Sequence, residues 1–241
     1  MSLWLRYPTL YEINTWVWLS ELSQKYGKPV DLGSVPSGEW DPIAKFGFDA
    51  VWFMGVWERS PAGIAIAKSL VDDFRRALPD FKPEDNVGSP YCTRRYLVDR
   101  HLRGPEGVAI ARRELANRGM KLLLDFVPNH VAPDHPWVVE HPEYFIRGNA
   151  DDARNDPASY VVVQGDVFAC GRDPYFPAWP DVLQLNAFQP GLHQAVIETV
   201  SSIAAQCDGV RCDMAMLLLN QIFERTWGSR AIHQPSPEIQ P

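Results

Sequence analysis

The sequence predicts an α/β fold built on a parallel sheet, and three observations support this. Four continuous apolar runs, near residues 9–19, 49–57, 121–127 and 207–216, indicate strands that are buried on both faces. Helix-like stretches lie between these runs, so that strand and helix alternate. No turn-rich β section is recognised between them. A chain of 241 residues with 46% hydrophobic and 22% charged residues is typical of a globular protein with a large core.

Three helices are predicted between these strands. Residues 38–48 precede the second strand, and residues 190–206 lead into the fourth. Residues 105–119 carry Pro in the first turn and Gly at the end, which is the usual asymmetry of helix boundaries. By contrast, residues 131–189 contain few periodic runs and are expected to form a long loop or a small subdomain. Connections of that length are usually functional.

Charge and composition narrow the class of partner. The net charge is −7 and no block of Lys or Arg occurs, which disfavours a nucleic acid and favours a neutral or cationic ligand. The chain has neither the pattern of a signal peptide nor an 18-residue apolar run, so we expect a cytoplasmic protein with no membrane partner. The four cysteines lack metal-ligand spacing and are expected to be reduced packing residues.

Charged residues inside two of the apolar runs demand an explanation. Asp125 lies in the third run, where an ionised carboxylate is costly unless it is paired. In the fourth run Arg211 and Asp213 are two residues apart, so their side chains project to the same side of a strand. A neighbouring guanidinium keeps Asp213 ionised, which suits a nucleophile better than a general acid. If the two strands are parallel neighbours, Arg211 also reaches Asp125.

Two segments resemble signature regions of the α-amylase family of glycoside hydrolases. DFVPNH at 125–130 is similar to the pattern DxxxNH, and GVRCD at 209–213 is similar to GxRxD. Their order and strand-end positions, together with GSPY at 88–91 and YEINTWVWL at 11–19, make the joint match specific. The resemblance implies a TIM (β/α)8-type barrel whose site lies at the C-terminal ends of the strands. It also implies hydrolysis or transfer of α-glucosides with retention of configuration, and an oligosaccharide or α-glucan as substrate.

The resemblance also implies a role for each matching residue. Asp213 matches the catalytic nucleophile, and Arg211 matches the arginine that orients it. His130 matches a histidine that hydrogen-bonds the sugar in the −1 subsite, and Tyr91 matches the aromatic residue that stacks on that sugar. Asp125 is interpreted as the structural partner of Arg211 rather than as a reacting group.

No cofactor and no metal site are predicted. Asn129 matches a residue that often serves a structural calcium, but a calcium site needs about six oxygen ligands or more, and the others are not identified. Met216 and Leu217 replace a Lys-His pair that is common in calcium-linked members, and Arg95 stands where an Asp is common. These departures favour Asn129 as a turn residue.

The general acid of the family has no match. It is a Glu at the end of the fifth strand, whereas here Glu224 lies in a helix-like stretch and Glu238 in a proline-flanked tail. We therefore predict that residues 1–228 form about the first four βα units of a barrel, followed by an irregular tail at 229–241. A chain truncated before the acid, or a fragment, is expected to be inactive by itself.

Three other interpretations stay open. Asp213 could serve only a structural ion pair, and His130 could cap a loop. The chain could be a non-catalytic sugar-binding half-barrel that needs a partner or self-associates through its exposed edge. Finally, the motifs could occur by chance in an unrelated α/β binding protein, in which case Arg211 would not contact Asp125.

Overall fold

The computed structural model describes residues 4–231, so Glu238 and the rest of the tail from residue 232 lie outside the described part. The strands are β1 (Leu10–Asn14), β2 (Ala50–Met54), β3 (Trp57–Arg59), β4 (Thr93–Val98), β5 (Lys121–Phe126), β6 (His130–Val131), β7 (Tyr160–Val163), β8 (Asp166–Gly171), β9 (Trp179–Gln184) and β10 (Gly209–Cys212). The α-helices are α1 (Thr15–Tyr26), α2 (Trp40–Lys45), α3 (Pro61–Ala67), α4 (Val71–Ala77), α5 (Gly104–Ala116), α6 (Trp137–Glu140), α7 (Ala150–Asn155), α8 (Pro190–Ala204) and α9 (Asn220–Trp227).

The described chain divides into two compact units. The first contains residues 4–58, 96–126 and 199–212, and the second contains residues 59–95, 127–198 and 213–231. The chain therefore passes from the first unit to the second between Cys212 and Asp213. No helix in residues 4–231 is both long and apolar enough to cross a membrane.

A parallel sheet in the order β1-β2-β5-β10 forms the centre of the first unit. The inner strands β2 and β5 are the most buried, and side chains such as Phe53, Leu122 and Leu124 have no exposed surface. The sheet confirms the predicted α/β class with a parallel sheet. Closure into a barrel and the number of βα units stay predictions.

The predicted helices are confirmed, but three predicted strands were too long. The second, predicted at 49–57, ends at Met54, and β3 begins separately at Trp57. The first strand ends at Asn14, whose side chain accepts a hydrogen bond from the backbone N–H of Val17 and caps α1. Residues 15–19, predicted as strand, are therefore helical. The fourth strand ends at Cys212, and Met214 takes a left-handed conformation (φ 51°) before a short 3₁₀-helix at Ala215–Leu218.

An antiparallel sheet in the order β6-β9-β8-β7 occupies part of the second unit. The prediction that no β section interrupts the strand-and-helix order was therefore wrong, whereas a subdomain at 131–189 was one of the two expected outcomes. The two residues Gln164 and Gly165 connect β7 to β8, and both have positive φ (54° and 91°). That geometry matches the twist of a tight hairpin. The sheet packs on an apolar cluster that includes Phe145, Phe168 and Leu183.

Candidate active site

The buried carboxylate of Asp125 forms an ion pair and two hydrogen bonds with groups of the first unit. β10 lies beside β5 with Arg211 opposite Asp125, and the guanidinium lies 3.4 Å from the carboxylate. The indole Nε1–H of Trp52 donates to the carboxylate at 3.0 Å, and the backbone N–H of Gly55 donates at 3.3 Å. These donors explain how a carboxylate with 1% exposure is tolerated. The predicted contact is present, which contradicts the interpretation of a chance motif in an unrelated protein.

The parallel register also positions Arg211. Its guanidinium carbon lies 4.5 Å from the centre of the Trp52 ring, so the side chain is held by stacking as well as by charge. Residue 211 lies one position before the end of β10, and the chain leaves the strand immediately before Asp213. Arg211 therefore marks the C-terminal end of the strand, where the resemblance expects the site.

A cavity of about 320 Å³ in the second unit brings together three of the predicted site residues. Tyr91, His130 and Asp213 all line it, although they come from three separate segments of the chain. The other lining residues are Ser89, Trp179, Asp181, Val182 and Met214. The volume lies at the lower end of the range of about 300–1,000 Å³ that is typical of ligand sites. Asp213 is 7% exposed, so its carboxylate lies largely out of bulk water.

His130 is held as a neutral hydrogen-bonding group. Burial lowers the pKa of its imidazole to about 4, against the opposing effect of a hydrogen bond with the backbone of Tyr91. The Nδ2 of Asn129 lies 3.2 Å from Nδ1 of His130, and the ring of Trp179 meets the imidazole edge-on with centres 5.3 Å apart. A neutral imidazole with one N–H suits hydrogen bonding to a hydroxyl group.

The side chain of Asn129 hydrogen-bonds Gln184 of the antiparallel sheet. Its side-chain carbonyl accepts from Nε2 of Gln184 at 3.0 Å, and its Nδ2 lies 3.3 Å from Oε1 of the same glutamine. The described chain contains no group of three or more His, Cys, Asp or Glu side chains arranged to hold a metal ion. The side chain of Asn129, which is engaged by Gln184 and His130, therefore does not fit a calcium site.

The sequence interpretation missed Asp181 and Ser89. Asp181 lies on β9, two residues after Trp179, so both side chains are on the same face of the strand. Burial raises the pKa of the Asp181 carboxyl. The available signal was an aspartate inside the apolar stretch WPDVLQL, the same signal that singled out Asp125. Glu224, in α9, does not line this cavity.

Comparisons with known proteins are consistent with this arrangement. No family model matches the sequence. The amino acid transporter heavy chain SLC3A1 of Rattus norvegicus is 25% identical in an alignment of 171 residues that covers 63% of this chain and 22% of that protein. Among solved structures, an α-amylase from H. orenii matches with a TM-score of 0.61 and 18% identity, covering 93% of this chain and 43% of that one. An α-amylase from Lactobacillus plantarum matches with a TM-score of 0.59 and 20% identity, covering 91% and 42%.

These matches cover only part of each known protein. The chain spans about a fifth of the length of the curated relative and about two fifths of the two amylase chains. At these identities the structural likeness shows the fold alone. The resemblance to the α-amylase family that the two motifs predicted is thus confirmed at the level of the fold, which this chain shares with part of those enzymes.

Proposed function

We propose that this chain is the N-terminal part of the catalytic barrel of a retaining α-glucoside or α-glucan hydrolase or transglycosylase of the α-amylase family. About the first four βα units of a (β/α)8 barrel would be present. The observation that carries the proposal is the cavity shared by Tyr91, His130 and Asp213. Motifs that matched by chance would have no reason to place these three side chains in one cavity.

Each residue has a defined task in this proposal. An oxygen of the Asp213 carboxylate attacks the anomeric carbon and forms a covalent glucosyl intermediate, while the bond to the leaving oxygen breaks. The resemblance to the family assigns to Arg211, two residues earlier in the chain, the task of orienting this carboxylate. His130 forms a hydrogen bond with a sugar hydroxyl, and Tyr91 stacks on the sugar ring. Hydrogen bonds that strengthen as the ring flattens supply part of the rate acceleration.

The first step of the reaction also needs a general acid that protonates the leaving oxygen, and the motifs do not supply one. Loss of general acid catalysis costs on the order of 100 to 10,000-fold in rate. The 241-residue chain is therefore expected to bind sugars and to hydrolyse ordinary glucosides very slowly. Asp181 is the second carboxylate that lines the cavity, and the resemblance gives it no role.

A substrate that leaves without protonation tests the nucleophile directly. The purified chain is incubated with α-glucosyl fluoride and sodium azide, because fluoride departs without an acid. Azide then attacks the anomeric carbon of the intermediate, displaces the Asp213 carboxylate and yields α-glucosyl azide. We expect this product from the wild-type chain and none from Asp213→Asn. Asp173→Asn, which changes a buried carboxylate outside the cavity lining, serves as the matched control.

Two results would contradict the proposal. A folded chain that forms neither glucosyl azide nor a covalent glucosyl adduct, detected by intact mass, would show that Asp213 is not a nucleophile. Product that persists in Asp213→Asn would assign the nucleophile to another residue. Hydrolysis of maltooligosaccharides by the wild-type chain would instead show that an acid is present, and Asp181→Asn would then be the next variant to assay.

A non-catalytic role is the second candidate, and the curated sequence matches favour it. These relatives are named as heavy chains of an amino acid transporter rather than as enzymes. A chain of that kind would need a partner protein and no nucleophile. It predicts that Asp213→Asn leaves folding and partner binding unchanged and that neither the wild type nor the variant forms a glucosyl adduct.

Self-association and a cytoplasmic location stay predictions. β1 and β10 lie at the two edges of the parallel sheet, and both are more exposed than β5. Unpaired strand edges favour association with another chain. Sedimentation velocity over a range of concentrations would show whether the chain is monomeric.

A further inference from the structure

A second cavity opens in the second unit, next to the candidate sugar-binding cavity. Its volume is about 430 Å³. It is lined by the end of α3, by α4 and by the segment that follows α4. The apolar side chains of this lining are Ala67, Leu70, Phe74, Ala77, Leu78, Phe81 and Val87, and its polar residues are Asp85, Asn86, Ser89 and Asp181.

This lining suits an apolar ligand. Leu70 and Leu78 are 41% and 46% exposed, and the rings of Phe74 and Phe81 pack with their centres 5.4 Å apart. Each apolar group that leaves water on binding contributes in proportion to its area. Along Leu70, Phe74 and Leu78 a sugar would bring hydroxyl groups that these side chains cannot hydrogen-bond, whereas an alkyl or aromatic group would lose only water.

Two residues are shared by the two cavities. Ser89 and Asp181 line both. The Oγ of Ser89 accepts a hydrogen bond from the backbone N–H of Tyr91 at 3.2 Å, and the backbone carbonyl of Asp181 accepts from Sγ of Cys92 at 3.0 Å. The boundary between the cavities is therefore held by a hydrogen bond within the GSPY segment, which also carries Tyr91, and by a hydrogen bond from Cys92, the residue that follows it.

The wall of the second cavity is also preformed. The Nδ2 of Asn86 donates to the carbonyl of Ile64 in α3 at 3.3 Å, while its Oδ1 accepts from the backbone N–H of Gly88 at 3.2 Å. Gly88 has φ +78°, and a Cβ there would lie 2.9 Å from the Ile64 side chain. The turn thus packs closely against α3, and little ordering is needed on binding.

We propose that the second cavity binds an apolar aglycone, so that the preferred substrates are α-glucosides of alkyl or aromatic alcohols. The inference rests on the proposed function, because it needs a glucosyl unit in the first cavity beside Asp213. The glycosidic oxygen then lies at the boundary formed by Ser89 and Asp181, and the aglycone extends along Phe74 and Leu78.

Calorimetric titration of the 241-residue chain with methyl and hexyl α-glucoside tests this assignment. Each methylene that is fully buried strengthens binding about fourfold, so five methylenes with half of that effect give a preference of about 30-fold for the hexyl glucoside. The double variant Leu70→Asn/Leu78→Asn is expected to reduce the preference to about threefold or less while methyl α-glucoside binds as before. Val139→Asn, at an exposed apolar residue that lines neither cavity, is the matched control.

The outcomes separate the two proposals. If methyl α-glucoside does not bind, the proposed function is refuted, and so is the aglycone site that depends on it. If both glucosides bind with equal affinity, or if the chain-length preference survives in the double variant, the aglycone site alone is refuted. A preference that is lost in Leu70→Asn/Leu78→Asn and kept in Val139→Asn supports it.

Discussion

The guanidinium of Arg211 lies 3.4 Å from the carboxylate of Asp125, across two neighbouring parallel strands. The carboxylate also accepts hydrogen bonds from Trp52 and Gly55, whose donors come from the strand on its other side and from the residue just after it. The buried carboxylate on β5 is thereby linked to both neighbouring strands, β2 and β10. Arg211 in turn stacks on Trp52, so one arginine supports both the charge and the packing.

Removing this guanidinium should destabilise the chain. Arg211→Met leaves the Asp125 carboxylate buried without its counter-charge, and we expect a loss of about 2–3 kcal/mol in the free energy of unfolding by urea. Asp125→Asn combined with Arg211→Met should recover part of that loss. Arg112→Met, which breaks the partly exposed ion pair with Asp208, is the matched control and should cost at most about 1 kcal/mol. Equal losses for the two arginine variants would contradict this interpretation.

The stability of the chain should fall as the pH falls from about 6.5 to about 4. Burial lowers the pKa values of His130 and His135 to about 4 in the folded chain, and for His135 the positive charges of Arg94 and Arg95 act in the same direction. In the unfolded chain both imidazoles take up a proton below their ordinary pKa of 6.5, which favours unfolding. Above that value both states are neutral and the effect vanishes.

Replacing one of these histidines should flatten the dependence. His135→Asn keeps a side-chain acceptor for the backbone N–H of Trp137, a hydrogen bond that His135 accepts at 3.1 Å. It should lower the pH dependence of the free energy of unfolding by at most about 1.4 kcal/mol per pH unit, which corresponds to about one proton. Urea unfolding of both proteins at about pH 7 and about pH 5 measures the difference. Identical pH slopes for wild type and variant would show that His135 is not buried in its neutral form.

Neutralising Asp181 should stabilise the chain. Burial raises the pKa of this carboxyl, so its ionised form is disfavoured in the folded state. Asp181→Asn should therefore raise the melting temperature near pH 7, and the gain should shrink as the pH falls through the raised pKa of the wild-type carboxyl, which then becomes protonated. Asp173→Asn should instead lower the melting temperature near pH 7. The Asp173 carboxylate accepts backbone hydrogen bonds from Tyr175 and Phe176 at 2.6 and 2.9 Å, and the substitution weakens them. A melting temperature lowered by Asp181→Asn would contradict this prediction.

Adding a methyl group at Gly171 should disturb the candidate sugar-binding cavity. A Cβ there would lie 2.8 Å from Val182, 3.2 Å from Cβ of His130 and 3.3 Å from Trp179. All three neighbours line the cavity. We expect Gly171→Ala to cost about 1–3 kcal/mol through overpacking and to weaken binding of maltose. Gly38→Ala, which meets no atom within 4 Å, is the control and should change neither quantity. If Gly171→Ala is destabilised but binds maltose as before, the packing at Gly171 does not influence the site.

The boundaries of the first and fourth strands show where local pattern was insufficient. The apolar residues after Asn14 are compatible with a strand or with a helix, and the cap that Asn14 provides for α1 decides between them. After Cys212 the apolar pattern continues, but the left-handed backbone of Met214 ends the strand. Both decisions depend on backbone hydrogen bonds and dihedral angles that an apolar run does not specify.

The antiparallel sheet shows a different limit. β6 has only two residues, and its pairing with β9 joins positions more than fifty residues apart. No local period identifies such a strand. The tight connection at Gln164 and Gly165 was a readable hairpin signal, since a glycine in a two-residue loop between apolar runs is typical of one. The remaining pair of that sheet, β8 with β9, contributes Phe168 and Leu183 to one apolar cluster with Phe145.

The sequence by itself determined the parallel α/β class, the pairing of Asp125 with Arg211 and the choice of Tyr91, His130 and Asp213 as site residues. The first two follow from local apolar runs and from the two-residue period of a strand, and the third follows from the resemblance of the motifs to the α-amylase family. Only the tertiary structure decided that Ser89 and Asp181, about ninety positions apart, line the same two cavities. Proximity of that kind, and the burial that raises the pKa of Asp181, come from long-range packing, which no single segment of the chain encodes.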